Sequence, residues 1–217
     1  MILQLSVGLN SGMQEWFANS EGYRICTIFQ SDIYSQGMDK SEQARTKNLF
    51  GALALAVADK LRISSEYSSG RAAAMPAAIV QIGASPNESI DSLSRLIGLS
   101  HSATVRIVER LETDGLIQKK RGEDGRMALL ALTASGRRTM EKILQGRETL
   151  MSATLEGLDD REWRELTRII EKIMPRIISS RSDSDFACRL CDHRVCPQDR
   201  CPAEPEGGFP DDYSHST

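Results

Sequence analysis

The pair of helices predicted between residues 89 and 113 constrains the fold more than any other feature of the sequence. Apolar residues recur at helical spacing in two consecutive runs, 89–98 and 101–113. Gly98 suits a tight turn between the runs, and Ser100 is a good N-cap for the second run. The sequence therefore predicts two short helices joined by a tight turn over about residues 89–113.

A predicted β-hairpin follows the helix pair directly. Strand-like runs at 116–120 and 127–132 flank a connector, 121–126, whose two glycines suit a hairpin tip. The order helix, turn, helix, hairpin predicts a winged helix-turn-helix, with the wing over about 116–132. In such a unit the second helix enters the major groove of B-DNA, which is about 12 Å wide.

Longer helices are predicted on both sides of this unit. Apolar positions at helical spacing indicate one helix over 42–66 and further helices over 134–178. The last helix carries an apolar stripe from Trp163 to Ile177 that is close to a heptad seam, so we expect these helices to form a dimer. The predicted fold class is mainly α, a winged helix-turn-helix flanked by N- and C-terminal dimerisation helices.

The predicted organisation has three parts. Residues 1–41 show no sustained helical or strand period and are predicted to be a poorly ordered extension. The winged-helix domain covers 42–178, and its Ala-rich segment 71–82 predicts a buried helix because it is apolar nearly all round. Residues 179–217 turn polar and are predicted to be a cysteine-containing, largely disordered tail.

Polar and basic residues around the helix pair are the candidate contacts to double-stranded DNA. The start of the second helix supplies side chains for base edges, namely Ser100, His101, Ser102, Thr104 and Arg106. Residues 95–126 contain seven basic and five acidic residues, a local excess of positive charge, although the whole chain has a net charge of −3. We expect the outward basic residues, including Arg110 and Arg121, to form a local positive face.

The stretch from Leu99 to Arg138 resembles the MarR family of bacterial regulators. Its most specific part is Asp124-Gly125-Arg126, followed by Leu132-Thr133 and Gly136, and the resemblance covers about residues 42–178. It implies that Arg126 inserts into the minor groove, whose negative potential favours arginine, while Asp124 holds the guanidinium. It also implies a transcriptional regulator, more often a repressor, that acts as a homodimer on a pseudo-palindromic operator and responds to a small-molecule effector.

Four of the five cysteines lie within fourteen residues of the tail. Their spacing is C-x2-C-x4-C-x4-C, formed by Cys188, Cys191, Cys196 and Cys201, and His193 is a candidate substitute ligand. Four thiolates satisfy tetrahedral Zn²⁺, and four thiolates also hold iron–sulfur clusters. The sequence favours a metal site, with Zn²⁺ ahead of an iron–sulfur cluster, and leaves reversible thiol or disulfide sensing as the alternative.

Several other classes of protein are disfavoured. No apolar run approaches the roughly 20 residues of a membrane span, and the first residues lack the basic flank of a signal peptide, so we expect a cytoplasmic protein without a membrane partner. No phosphate loop or nucleophile elbow points to an enzyme. The alternative function is a metal- or thiol-dependent redox protein whose helical body only dimerises.

Overall fold

The structure is a computed structural model and describes residues 16–18, 24–26, 39–71, 74–121, 128–196 and 201–204. The chain divides into two compact units, Met1–Leu53 and Ala54–Thr217. Within the described ranges, none of the helices has the length and apolar character of a membrane span.

In chain order the elements are β1 (Trp16–Ala18), β2 (Arg24–Cys26), α1 (Lys40–Ser69), α2 (Met75–Ala84), α3 (Ile90–Leu96), α4 (His101–Thr113), β3 (Ile117–Arg121), β4 (Ala128–Leu132), α5 (Ala134–Thr154), α6 (Asp160–Ile173), a 3-10 helix (Met174–Arg176) and α7 (Arg181–Cys188).

The first unit contains a short hairpin and the beginning of α1. Strands β1 and β2 pair antiparallel, with Phe17 opposite Ile25, in a region where the sequence predicts no element. Helix α1 begins two residues before the predicted start of 42 and continues into the second unit. The remainder of the predicted N-terminal extension lies outside the described residues.

Helix α2 forms the centre of the core of the second unit. It begins at Met75 rather than at residue 71, with Pro76 in its first turn, where a missing N–H leaves no helical hydrogen bond unmade. Its side chains Ile79, Val80 and Ile82 are at most 1% exposed, which confirms the predicted buried helix. The other elements bury apolar side chains in the same core, namely Leu93 and Ile97 of α3, Val108 and Leu111 of α4, Leu130 and Leu132 of β4, and Ile143 and Leu144 of α5.

Helix α6 begins at a capping box and ends at a proline. The Asp159 carboxylate accepts hydrogen bonds from the N–H groups of Arg161 and Glu162 at 2.8 Å, and the Glu162 carboxylate accepts one from the Asp159 N–H at 2.9 Å. Both halves of the capping box are therefore formed. The helix stops at Ile173, before the predicted 178, because Pro175 has no N–H to continue the helical hydrogen bonds.

The C-terminal segment is more ordered than the sequence predicts. Residues 181–188 form α7, and the Ser180 hydroxyl caps it by accepting a hydrogen bond from the Asp183 N–H at 3.1 Å. Ile178 and Ala203 are buried in a second small core, against which Met174, Cys188 and Cys201 are packed. The prediction of a largely disordered tail is therefore wrong for these residues. The sequence around α7 is polar and shows no apolar residues at helical spacing. The apolar residues that its segment contacts lie in distant parts of the chain, so the local pattern does not predict a helix.

Candidate functional site

A glycine with positive φ joins α3 to α4. Gly98 has φ of +66°, a conformation that side-chain-bearing residues rarely adopt. Its N–H donates to the Arg95 carbonyl at 3.1 Å, and the Leu99 N–H donates to the Ser94 carbonyl at 3.0 Å. These hydrogen bonds terminate α3 and turn the chain into α4, so the predicted helix-turn-helix is confirmed.

The first turn of α4 presents polar side chains outward. The Ser100 hydroxyl accepts a hydrogen bond from the Ala103 N–H at 3.3 Å, which confirms the predicted N-cap. His101, Ser102 and Arg106 are exposed, as a contact to base edges requires.

The assignment of Thr104 to the exposed surface is wrong. Its side chain is fully buried, and its hydroxyl donates to the Ser100 carbonyl at 3.0 Å. Thr104 lies four and seven residues before Val108 and Leu111, so it shares their core-facing side of the helix. It stabilises the start of α4 from inside.

An acidic residue of α3 holds the first residue of α4. The Nδ1 atom of His101 lies 2.6 Å from the Oδ1 atom of Asp91, and both side chains are more than half exposed. The contact joins the two helices across the turn at their exposed surface. The sequence did not predict Asp91 as a site residue, because the pairing depends on the angle between the helices.

Acidic neighbours occupy part of the predicted basic face. Arg110 lies 3.2 Å from Asp114, a carboxylate that also pairs with Arg71. The Lys119 ammonium lies 2.8 Å from the Glu112 carboxylate. These pairs reduce the positive charge available to phosphates.

Three exposed basic residues around the helix pair have no ionic partner within the described ranges. Arg95, Arg106 and Lys120 are exposed and form no ion pair with any residue that the structure describes. The free positive charge is therefore distributed over α3, α4 and β3, with Arg106 on the helix that is predicted to enter the groove.

The wing is a two-stranded antiparallel sheet behind α4. Its register runs from Ile117 opposite Leu132 to Arg121 opposite Ala128, and a bridge from Glu88 to Leu130 adds the loop before α3. For Arg121 only the backbone is described. Asp124 and Arg126, the wing-tip residues named by the resemblance, lie outside the described residues.

A close contact fixes the base of the wing to α5. The Thr133 hydroxyl caps α5 by accepting a hydrogen bond from the Gly136 N–H at 3.0 Å and donates to the Gly115 carbonyl at 2.7 Å. A Cβ atom at Gly136 would lie 2.0 Å from the Leu116 carbonyl oxygen. The first turn of α5 and the start of the wing can approach this closely only because position 136 is glycine.

The four tail cysteines line one cavity of about 210 Å³. All four are free thiols and partly buried, and side-chain hydrogen bonds link Cys188 with Cys191 and Cys196 with Cys201. His193 lines the same cavity. Over the ranges that the structure describes, no group of three or more His, Cys, Asp or Glu side chains is already arranged to hold a metal ion. The four cysteines and His193 could supply ligands from the wall of this cavity.

The local electrostatics favour a thiolate at Cys191. The hydrogen bond from Cys188 and the nearby Arg147 guanidinium lower the pKa of Cys191 to about 6, although burial opposes this effect. The same hydrogen bond raises the pKa of Cys188, because the thiol proton is held between the two sulfur atoms. Near neutral pH the Cys188–Cys191 pair is therefore expected to carry its negative charge on the Cys191 sulfur.

The segment that carries the cysteines contacts the rest of the domain at two places, at α2 and at the turn between α3 and α4. The Gln81 side-chain amide donates to the Cys188 carbonyl at 3.3 Å. Phe186 of α7 lies against the turn, since a Cβ atom at Gly98 would be 2.8 Å from its ring. Neither Gln81 nor Phe186 was predicted from the sequence, in which they lie far from the residues they contact.

Two helices expose apolar side chains. Helix α6 has no buried residue, and the stripe predicted to be covered is open, with Trp163 43%, Ile170 42% and Ile177 67% exposed. Helix α1 likewise exposes apolar side chains along its length, namely Leu49, Phe50, Leu53, Leu55 and Ile63. Faces this apolar are typical of helices that pack against another chain.

Comparison with known sequences identifies a relative among transcriptional regulators. No family model matches the chain. The HTH-type transcriptional regulator BilQ of Clostridium symbiosum is 31% identical over 96 residues, which are 44% of this chain and 67% of the relative.

Comparison with solved structures identifies the same architecture. A MarR family protein from Bacillus stearothermophilus matches with a TM-score of 0.56 and 21% identity, over 64% of this chain and 98% of that protein. Streptococcus pneumoniae FabT, solved in complex with DNA, matches with a TM-score of 0.51 and 17% identity, over 59% of this chain and 94% of FabT.

Proposed function

Because this chain belongs to the helix-turn-helix transcriptional regulators and has the winged-helix fold of the MarR family, we propose that it represses transcription as a DNA-bound homodimer. The observation that carries the proposal is the start of α4, a capped helix from which the exposed side chains of His101, Ser102 and Arg106 project. FabT, which shares the fold, was solved in complex with DNA, and this supports DNA binding by this chain.

The exposed apolar faces of α1 and α6 support the homodimer. A two-fold dimer presents two copies of α4, and these read half-sites about 10 base pairs apart on a pseudo-palindromic operator. A small-molecule effector belongs to the proposal through the family resemblance.

A salt titration tests DNA binding by the full chain. We expect the affinity for an operator duplex, selected by the protein from genomic DNA, to fall linearly with salt on logarithmic axes because bound phosphates release counterions. For about six phosphate contacts the loss is on the order of 1,000-fold between 50 and 200 mM salt. A scrambled duplex of the same length is the control. Binding that is absent, or that ignores salt, would contradict the proposal.

Replacing Arg106 by alanine is expected to weaken operator binding by about 1–3 kcal/mol and to relax base preference at one position of each half-site. The side chain is exposed and forms no ion pair within the described ranges, so the free energy of unfolding should stay unchanged. Fluorescence anisotropy with the operator and with single-base variants measures both effects. Arg164→Ala, an exposed arginine of α6, is the matched control, and an unchanged affinity for Arg106→Ala would contradict the assigned role.

A further inference from the structure

We propose that Cys188, Cys191, Cys196 and Cys201 bind one Zn²⁺ ion, and that this ion fixes the C-terminal segment against the helix-turn-helix. All four side chains line the same cavity of about 210 Å³, and four thiolates are a ligand set that Zn²⁺ prefers. The Cys191 N–H donates to the Cys188 carbonyl at 2.9 Å, so a tight turn brings the first pair together. Cys201 is brought to the first pair by the small core, since both Cys188 and Cys201 pack against Ile178 and Ala203.

Metal binding draws the two cysteine pairs together. No group of three candidate ligands among the described residues is already arranged around one metal position, so the pairs must close onto the ion. The four thiols release their protons as they bind, and the resulting thiolates form the tetrahedral set that Zn²⁺ prefers.

A buried nitrogen beside the cysteines points to a missing partner. The Nε2 atom of His193 is buried and has no hydrogen-bond partner among the residues that the structure describes, and the side chain lines the same cavity. Buried polar atoms are rarely left unpaired in folded proteins. A metal-bound thiolate would accept a hydrogen bond from this ring nitrogen, as outer-shell partners of metal sites do.

The charges around the cavity suit an anionic metal centre. Zn²⁺ with four thiolates carries two negative charges in total. The guanidinium groups of Arg147 and Arg189 lie close enough to Cys191 to act on it electrostatically. Arg147 belongs to α5, so this positive charge comes from the body of the domain rather than from the cysteine segment.

The C-terminal segment buries little apolar surface of its own. Among the described residues of its small core, Ile178 and Ala203 are the buried apolar ones, and so small a core rarely keeps a segment folded without a metal or disulfide. The ordered segment contacts the turn of the helix-turn-helix through Phe186. The consequence for regulation rests on the proposed function: loss of the ion frees α7 from the turn and changes operator affinity.

Metal content and cobalt substitution test the site in the full chain. Protein purified without oxygen should contain about one zinc per chain, and the metal-free form should take up one equivalent of Co²⁺. Four thiolates around Co²⁺ give intense charge-transfer absorption, which Zn²⁺ then abolishes by displacement. Cys191→Ser and Cys196→Ser should each lose tight metal binding, whereas Cys26→Ser, the control outside the cluster, should keep it.

Three outcomes would overturn the metal site. The first is less than about 0.2 metal per chain in anaerobic protein. The second is a brown, iron-containing sample absorbing near about 400 nm, which would replace zinc by an iron–sulfur cluster. The third is Co²⁺ bound without thiolate absorption, a measurement on the unsubstituted chain that holds even if a serine variant fails to fold. Zinc binding with no DNA binding would instead contradict only the proposed function.

Discussion

Ile170→Asp is expected to convert the proposed homodimer to a monomer and to lower operator affinity by more than about 100-fold, because two linked half-site contacts become independent. Ile170 is 42% exposed in the single chain and lies on the apolar stripe of α6 with Trp163. A carboxylate buried there without a partner opposes association strongly. Light scattering at micromolar concentration measures the oligomeric state, and anisotropy measures the affinity.

Lys172→Asp is the matched control for this substitution. It places the same carboxylate on the opposite, polar side of α6, so the protein should remain dimeric. If Ile170→Asp stays dimeric with unchanged operator affinity, α6 is not the interface. If the unsubstituted protein is a monomer at micromolar concentration, the homodimer itself is refuted.

Gly136→Ala is expected to lower the free energy of unfolding by about 3 kcal/mol, at the upper end of overpacking costs. The new methyl group would lie 2.0 Å from the Leu116 carbonyl oxygen and 3.2 Å from a methyl group of Leu132. The carbonyl cannot move away easily, since it accepts the Thr133 N–H at 2.9 Å. Either the wing or the first turn of α5 must shift, and urea denaturation measures the cost.

Gly51→Ala is the control of the same chemistry. A Cβ atom at Gly51 meets nothing within 4 Å, and the position lies inside α1. Alanine there should raise the free energy of unfolding by about 0.5–1 kcal/mol through helix propensity. Equal urea midpoints for Gly136→Ala and the unsubstituted protein would contradict the close approach of α5 to the wing.

Local chemistry explains why much of the fold is predictable from the sequence. Ser100, Thr133 and Asp159 each cap a helix through hydrogen bonds within three residues, so short-range patterns are sufficient to find them. The two helices and the hairpin are likewise marked by their own periodicity and turn residues. Thr104 shows the limit of this approach, because a polar residue near a helix start was assigned by its chemistry rather than by the side of the helix it occupies.

Contacts between distant residues explain what was missed. The C-x2-C-x4-C-x4-C spacing predicts that the cysteines can meet, but it does not reveal that Gln81 and Arg147 lie beside them. Helix α7 was not predicted for the same reason. Its Phe186 packs against the turn at Gly98, which lies almost ninety residues earlier in the chain. The contact of Asp91 with His101 depends on how α3 and α4 are packed, which the sequence pattern does not give.

The contact between Phe186 and Gly98 limits how this regulator can be re-engineered. Exchanging α3 and α4 for those of another regulator is a common way to redirect a protein to a new DNA sequence. Any donor segment with a side chain at position 98 would place its Cβ 2.8 Å from the Phe186 ring. A functional chimera must therefore keep glycine at this position or take its C-terminal segment from the same donor, so the two parts of the chain behave as one transferable module.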